Sequence, residues 1–395
     1  MIHSILIERL HESASIQRWN DFAKPVEFTE LDKQAHKMIF AYVLARSAED
    51  TGKKVNWTAL IEGGVFECLH RVVLTDIKPH VFHQMMKEKG PELNRWVVSR
   101  LSRELAGAPR GFERRFSDYF LDSTTAPFEK RLLKAAHYLA TQWEFRVIYK
   151  TCPFLYGIEP VKKDIEDQLA EHSALAGVTE LCGEDGLRSF VDLCGQLRFQ
   201  RRWSETPRVP TTTVLGHMLV VSVTSYLLIL EFNPCPARAR NAFFCGLFHD
   251  LPEVLTRDIS SPVKNSVEGL DELIKEYERR EMEDKLLPML PQSWREEIRY
   301  YTENEFSNRA RVGGRLRVDI PFSEFQADFN VDALSPVDGE MIRVCDHLAA
   351  FMEATLSIRH GITSRALRTA QEKLYAHYAE KSVEGLPVGR LFQMG

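Results

Sequence analysis

Apolar residues recur at three- and four-residue spacing through most of the chain, the pattern of helices that bury one face. It predicts helices over Ala35–Ala48, Thr58–Leu74, Arg131–Ile148, Leu215–Glu231, Arg238–Leu255, Leu270–Leu287 and Glu340–Leu356. Thr211-Thr212-Thr213 offers N-caps before the fourth of these, and Asn233-Pro234 stops it. Pro288 and Pro291 close the sixth. Val312–Pro336 departs from the pattern. Arg315-Leu316-Arg317-Val318-Asp319-Ile320 alternates between Gly and Pro residues, which predicts a short hairpin or ordered loop. Tyr156–Ser173 reads as a charged connector, with a domain boundary near residue 180. The expected architecture is all-α, with helical domains over 1–180 and 181–395 and the hairpin or loop inserted in the second.

The two halves also resemble each other. Arg18-Trp19, Leu31 to His36, Gly64-Val65-Phe66-Glu67-Cys68, Asp76-Ile77 and Ala136-His137 run in one order. Arg202-Trp203, Leu215-Gly216-His217, Gly246-Leu247-Phe248-His249-Asp250, Asp258-Ile259 and Cys345-Asp346 follow it in the second half. This comparison sets His36 against His217, Glu67-Cys68 against His249-Asp250, and His137 against Asp346. The first half then reads as a degenerate repeat of the second.

At 395 residues the chain is long for a single core, in keeping with two domains. A charged fraction of 27% and a hydrophobic fraction of 44% are ordinary for a soluble protein. A net charge of −5 gives no general electrostatic case for a nucleic-acid partner, although local basic groups can still bind one phosphate. Met218–Leu230, interrupted by Ser and Thr, is too short to span a bilayer, and Met1–Arg9 lacks the features of a signal peptide. Seven cysteines without a Cys-x-x-Cys pair suit a reducing cytoplasm. The expectation is a cytoplasmic protein with no nucleic-acid or membrane partner.

The chemistry gathers around His249-Asp250, an imidazole and a carboxylate placed side by side in an apolar helical run. Burying both requires partners, and a divalent cation satisfies them together. His217 and Asp346, each in another apolar helical run, would complete a site drawn from three helices. Two imidazoles and two carboxylates suit Mn, Co, Ni, Zn or Fe without selecting among them. The interval between Asp250 and Asp346 holds no histidine, which favours a single ion over a dinuclear pair. Glu253 shares the face of His249 and Asp250, where a carboxyl group can hold or transfer a proton. A lone divalent ion that lowers the pKa of bound water and neutralises phosphate points to hydrolysis. Each residue also has a plain reading: Asp346 as a partner of Arg343, Glu253 as a salt-bridge acid, Arg202-Trp203 as cation–π packing, Asp258 as a turn cap.

Arg202-Trp203, Thr213-Val214-Leu215-Gly216-His217 and the run from His249 to Lys264 resemble the HD-domain metal-dependent phosphohydrolases, and among them the bacterial 5′-deoxynucleotidases. The resemblance covers roughly 193–274 and 341–357. It implies tandem HD-type helical domains and one divalent metal held by His217, His249, Asp250 and Asp346. It further implies catalytic roles for Glu253, Arg202 and Asp258, and a substrate site at Arg202, Trp203 and Lys264. The implied reaction releases phosphate from a nucleotide, foremost a (deoxy)nucleoside 5′-monophosphate, by metal-activated water. Hydrolysis of an alarmone or triphosphate, or a non-catalytic nucleotide-sensing or scaffold role, are the alternatives. Gly216, Arg257 and the stretch 306–338 depart from the family and bear on the substrate. In the first half, His36, Glu67, Cys68 and His137 form a conceivable Zn-type set; degeneration is the preferred reading, with that half structural. The relatives pair as dimers, so the chain is expected as a monomer with an internal pseudo-dimer, or as a homodimer.

Overall fold

The computed structural model describes residues 4–184, 186–259, 261–264 and 266–393; Ser260, within the run quoted above, lies outside them. The chain forms two compact units, residues 1–182 and 183–395. Both are helical, and among the described residues the only sheet is a two-stranded one in the second unit.

In the first unit, Glu30–Asp50 packs along Pro127–Thr151, with Trp57–Leu74 against both. Thr29 caps the first of these by accepting from the Asp32 amide. The predicted connector is instead largely helical, over Ile158–Ala170. Ile158, Ile165 and Leu169 make a thin buried stripe on an otherwise charged helix, too sparse to stand out in the sequence.

The second unit is built around Val214–Ile229, every residue of which is buried. With the turn that follows, it runs 19 residues to Phe232 and is apolar enough to cross a membrane by length and composition. This corrects the shorter estimate from the sequence. It is 94% buried inside the protein, so its apolarity serves a core. Pro236–Phe248 and Gly339–Arg359 pack against it. The predicted helix Arg238–Leu255 stops at Phe248, because Pro252 has no N–H to donate to the Phe248 carbonyl. A turn and a short helix, Glu253–Thr256, replace its end. His249-Asp250 therefore sits just past a helix C-terminus rather than inside a helix.

The hairpin pairs Ala310–Val312 with Arg315–Arg317, two residues earlier than the pattern suggests. Gly313 and Gly314 both have positive φ, the geometry a two-residue hairpin turn demands. Ala310, Ile320, Phe325 and Phe329 give the insertion its own small core. The buried guanidinium of Arg309 donates to the Asn304 and Tyr300 carbonyls, each at 2.7 Å, which fixes the chain entering the insertion.

Gly246 allows a close approach of two helices in the second unit. A Cβ there would lie 2.7 Å from the Ser222 Cα and 3.0 Å from its N, both backbone atoms. Gly246→Ala should therefore force the two helices apart and destabilise the unit by about 1–3 kcal/mol, measurable as a lowered denaturant midpoint.

Candidate metal centre

Three elements converge on one polar spot. Thr213 caps the central helix by accepting from the Gly216 amide and so sets His217 one turn in. Gly246 brings His249 close, with the two imidazole rings 5.4 Å apart. Asp346 comes from Gly339–Arg359. One side-chain ligand atom from each of His217, His249 and Asp346 lies within 4.8 Å of the other two. Asp250 Oδ2 is 3.2 Å from His249 Nε2 and 3.5 Å from His217 Nε2. His249 Nδ1 lies 2.8 Å from the Gly246 carbonyl, which places the proton on Nδ1 and turns the Nε2 lone pair toward the acids.

The polar atoms here are incompletely satisfied by the protein. Both nitrogens of His217 and Nε2 of His249 are buried without a hydrogen-bond partner. His217 Nε2 approaches Asp346 Oδ1 to 3.0 Å, but off the hydrogen-bonding direction. Unpartnered buried imidazole nitrogens facing two carboxylates are the donor set a first-row divalent ion takes, so the residues fit a metal ion. Burial opposes ionisation of Asp250, yet His249, His217 and Arg202 hold its carboxyl well below the usual range. Glu253 goes the other way. Burial, then the Asp250 and Asp258 carboxylates, push it well above the usual range, and its Oε2 has no partner.

A cavity of about 520 Å³ opens on this spot, and Arg202, Asp250, Glu253, Asp258, Lys264 and Asp346 line it. Arg202 Nη1 is 3.8 Å from Asp250 Oδ2, and Lys264 Nζ is 3.9 Å from Glu253 Oε1. Trp203 does not line the cavity. Its indole N–H donates to Glu353 at 2.8 Å, and the cation over its ring is Arg208, not Arg202. Arg343 stacks on Phe306, while Asp346 faces His217.

Sequence reasoning missed Glu353. It is 2% exposed and holds Arg202 Nε, the Trp203 indole and the Thr212 hydroxyl. The signal was present: a lone acid in the run Phe351-Met352-Glu353-Ala354, two turns from Asp346 on the same helix face. Phe306 was placed only in the extra stretch; its ring lies 6.3 Å from that of His249 at the cavity wall. In the first unit the conceivable set does not assemble. The His36 ring packs on Phe40 and Trp143, at 4.6 and 5.3 Å, and Glu67 is bound by Lys37.

Residues 194–375 match the HD domain family. The second unit thus carries an HD domain, in keeping with its resemblance to the HD-domain phosphohydrolases. This HD domain is similar to a 5′-deoxynucleotidase of Photobacterium profundum, 33% identical over 27% of this chain and 57% of the relative. A 5′-deoxynucleotidase of Vibrio vulnificus is 32% identical over 28% of this chain and 58% of its own length. One of Shewanella oneidensis is 29% identical over 26% and 54%. The match thus spans little more than half of each curated relative.

An ion that binds only the folded HD domain stabilises it by mass action, about 2.7 kcal/mol at a hundredfold excess over Kd. Chelation should lower the melting temperature and Mn²⁺ or Co²⁺ should restore it, whereas Asp346→Ala should melt at one temperature under both conditions in a thermal-shift assay.

Proposed function

We propose that the cavity of the HD domain hydrolyses a phosphomonoester, most specifically a nucleoside 5′-monophosphate. The observation that carries this reading is a set of unpartnered imidazole nitrogens, on His217 and His249, facing Asp250 and Asp346 beside the cavity, with Arg202 and Lys264 close by. A divalent ion held by those four residues would lower the pKa of bound water and offset phosphate charge. Arg202 and Lys264 bind phosphate oxygens, and Arg202 stabilises charge that builds as the phosphorus centre is attacked. Glu353 takes only the Nε side of the Arg202 guanidinium and so aims it. Glu253, held protonated by burial and its acidic neighbours, donates its proton to the departing 5′-oxygen. Asp258 helps hold that proton on Glu253 by its charge.

The outer wall favours a single phosphate. It carries five carboxylates against three cations, and one of those, Arg299, is already held by Glu283 and Glu296. A chain of further phosphates would meet net negative charge, so alarmones and triphosphates fit less well. The names of the similar 5′-deoxynucleotidases support the same substrate class.

Phosphate release from a panel of nucleoside mono-, di- and triphosphates with Mn²⁺ or Co²⁺ tests the reading; no turnover of any monophosphate would sink it. Arg202→Ala should lose about 10²–10³-fold in kcat. Glu253→Gln should lose about 10²–10⁴-fold on a nucleoside monophosphate but far less on p-nitrophenyl phosphate, whose leaving group needs no proton. Equal losses on both substrates would remove Glu253 from that role.

A further inference from the structure

The first unit repeats the frame that surrounds the metal centre. The Arg18 amide donates to the Phe28 carbonyl at 2.8 Å, and the Arg202 amide to the Thr212 carbonyl at 3.1 Å. Bridges Gln17–Thr29 and Arg201–Thr213 lead into helices capped by Thr29 and Thr213. Trp19 and Trp203 are both left-handed, at φ 57° and 55°. Each indole N–H donates at 2.8 Å to a buried glutamate, Glu144 in one unit and Glu353 in the other.

This frame gives the register. Lys33 and His217 are each the fourth residue after the capping threonine, so Lys33, not His36, stands at the place of His217. The sequence comparison is corrected by one helical turn. Counting back seven residues from Glu144 and Glu353 sets His137 at the place of Asp346. Gly64 and Gly246 occupy matching seats, because a Cβ on either would strike Met38 or Ser222, each nine residues past its capping threonine. From those glycines, Glu67, Cys68 and Arg71 fall at the places of His249, Asp250 and Glu253.

We infer that the first unit is a copy of the HD fold in which the amino group of Lys33 fills the place of the metal ion, so that the full chain holds one divalent ion, in the second unit. Lys33 is fully buried, with Nζ 2.5 Å from His137 Nδ1. An amino group donates hydrogen where a metal ion accepts a lone pair, so this contact uses up the imidazole electron pair a metal would need. The other positions are spoken for as well. Glu67 accepts from Lys37 Nζ at 2.9 Å and from the Tyr119 hydroxyl at 2.6 Å. Burial pushes the Cys68 thiol up to about 12, which keeps it protonated and a poor ligand at neutral pH. Arg71 replaces the proton-donating acid.

The phosphate-facing arginine is neutralised in the same unit. Arg18 donates through Nη1 to Glu30 at 2.8 Å and through Nε to Glu144 at 2.9 Å. In the second unit Val214 stands where Glu30 does, and Arg202 Nη1 is left facing Asp250. Arg18, the counterpart of Arg202, is thus held by carboxylates on both sides of its guanidinium.

The test counts ions in the full chain. Wild type and a His217→Ala/Asp346→Ala variant, whose first unit is unaltered, are loaded with Co²⁺, desalted and measured by plasma mass spectrometry. The expected result is one ion per chain in wild type and none in the variant; an equivalent retained by the variant overturns the inference. As a positive arm, K33H/E67H/C68D/H137D should raise the wild-type count toward two. An unchanged count in a variant that circular dichroism shows to be folded would overturn the assigned register. None of these readouts involves turnover, so their failure is distinct from failure of the hydrolase reading.

Discussion

Everything at the metal centre depends on how closely two helices approach. Gly246 lets Pro236–Phe248 lie against the backbone of Val214–Ile229 at Ser222, with no side chain between them. Only that approach brings an imidazole from the end of one helix to within 5.4 Å of an imidazole inside the other. A side chain at 246 would have to displace backbone, which dense packing resists more than it resists moving a rotamer. The proline-induced break after Phe248 completes the arrangement. It ends the helix early enough for the His249 Nδ1–H to reach the Gly246 carbonyl, which aims Nε2 inward, and it starts a new short helix with Glu253 at the cavity.

Charge is then arranged against the grain of burial. Buried imidazole nitrogens without hydrogen-bond partners cost free energy, and that cost, beside two carboxylates, is the physical argument for an ion among them. One exposure-poor carboxylate, Glu353, organises the arginine and tryptophan that precede the central helix. The same clamp stands in the first unit around Glu144, where the residues at the ligand positions differ. The clamp is therefore a property of the fold, and the chemistry of each unit is decided by the few residues facing inward from it. Valine in place of Glu30 leaves one side of Arg202 available; histidine in place of Lys33 leaves a lone pair available.

Much of the helical architecture was readable because long apolar helices impose strong periodicity. The central helix, Glu340–Leu356 and Thr58–Leu74 are of this kind, and their ends fall within a few residues of the observed ones. Ile158–Ala170 was not readable, since three buried residues on a charged helix carry little periodic signal. The end of Arg238–Leu255 was misread because a single proline outweighed the apolar residues on either side of it. Trp203 was assigned to a substrate by likeness, yet its indole is committed to Glu353, a partner remote in sequence.

By itself the sequence singled out residues that are costly to bury and therefore need a purpose, His217, His249-Asp250 and Asp346, but neither Glu353 nor Lys33. It also determined the spacing that places each on a helix face. Only the tertiary structure decided which of these share a neighbourhood. The three-residue difference between His36 and Lys33 is invisible to a comparison of residue types, which matches histidine to histidine. It is plain once the capping threonine and the bridge before it define where the helix begins, because one helical turn carries a side chain to a different level of the same face.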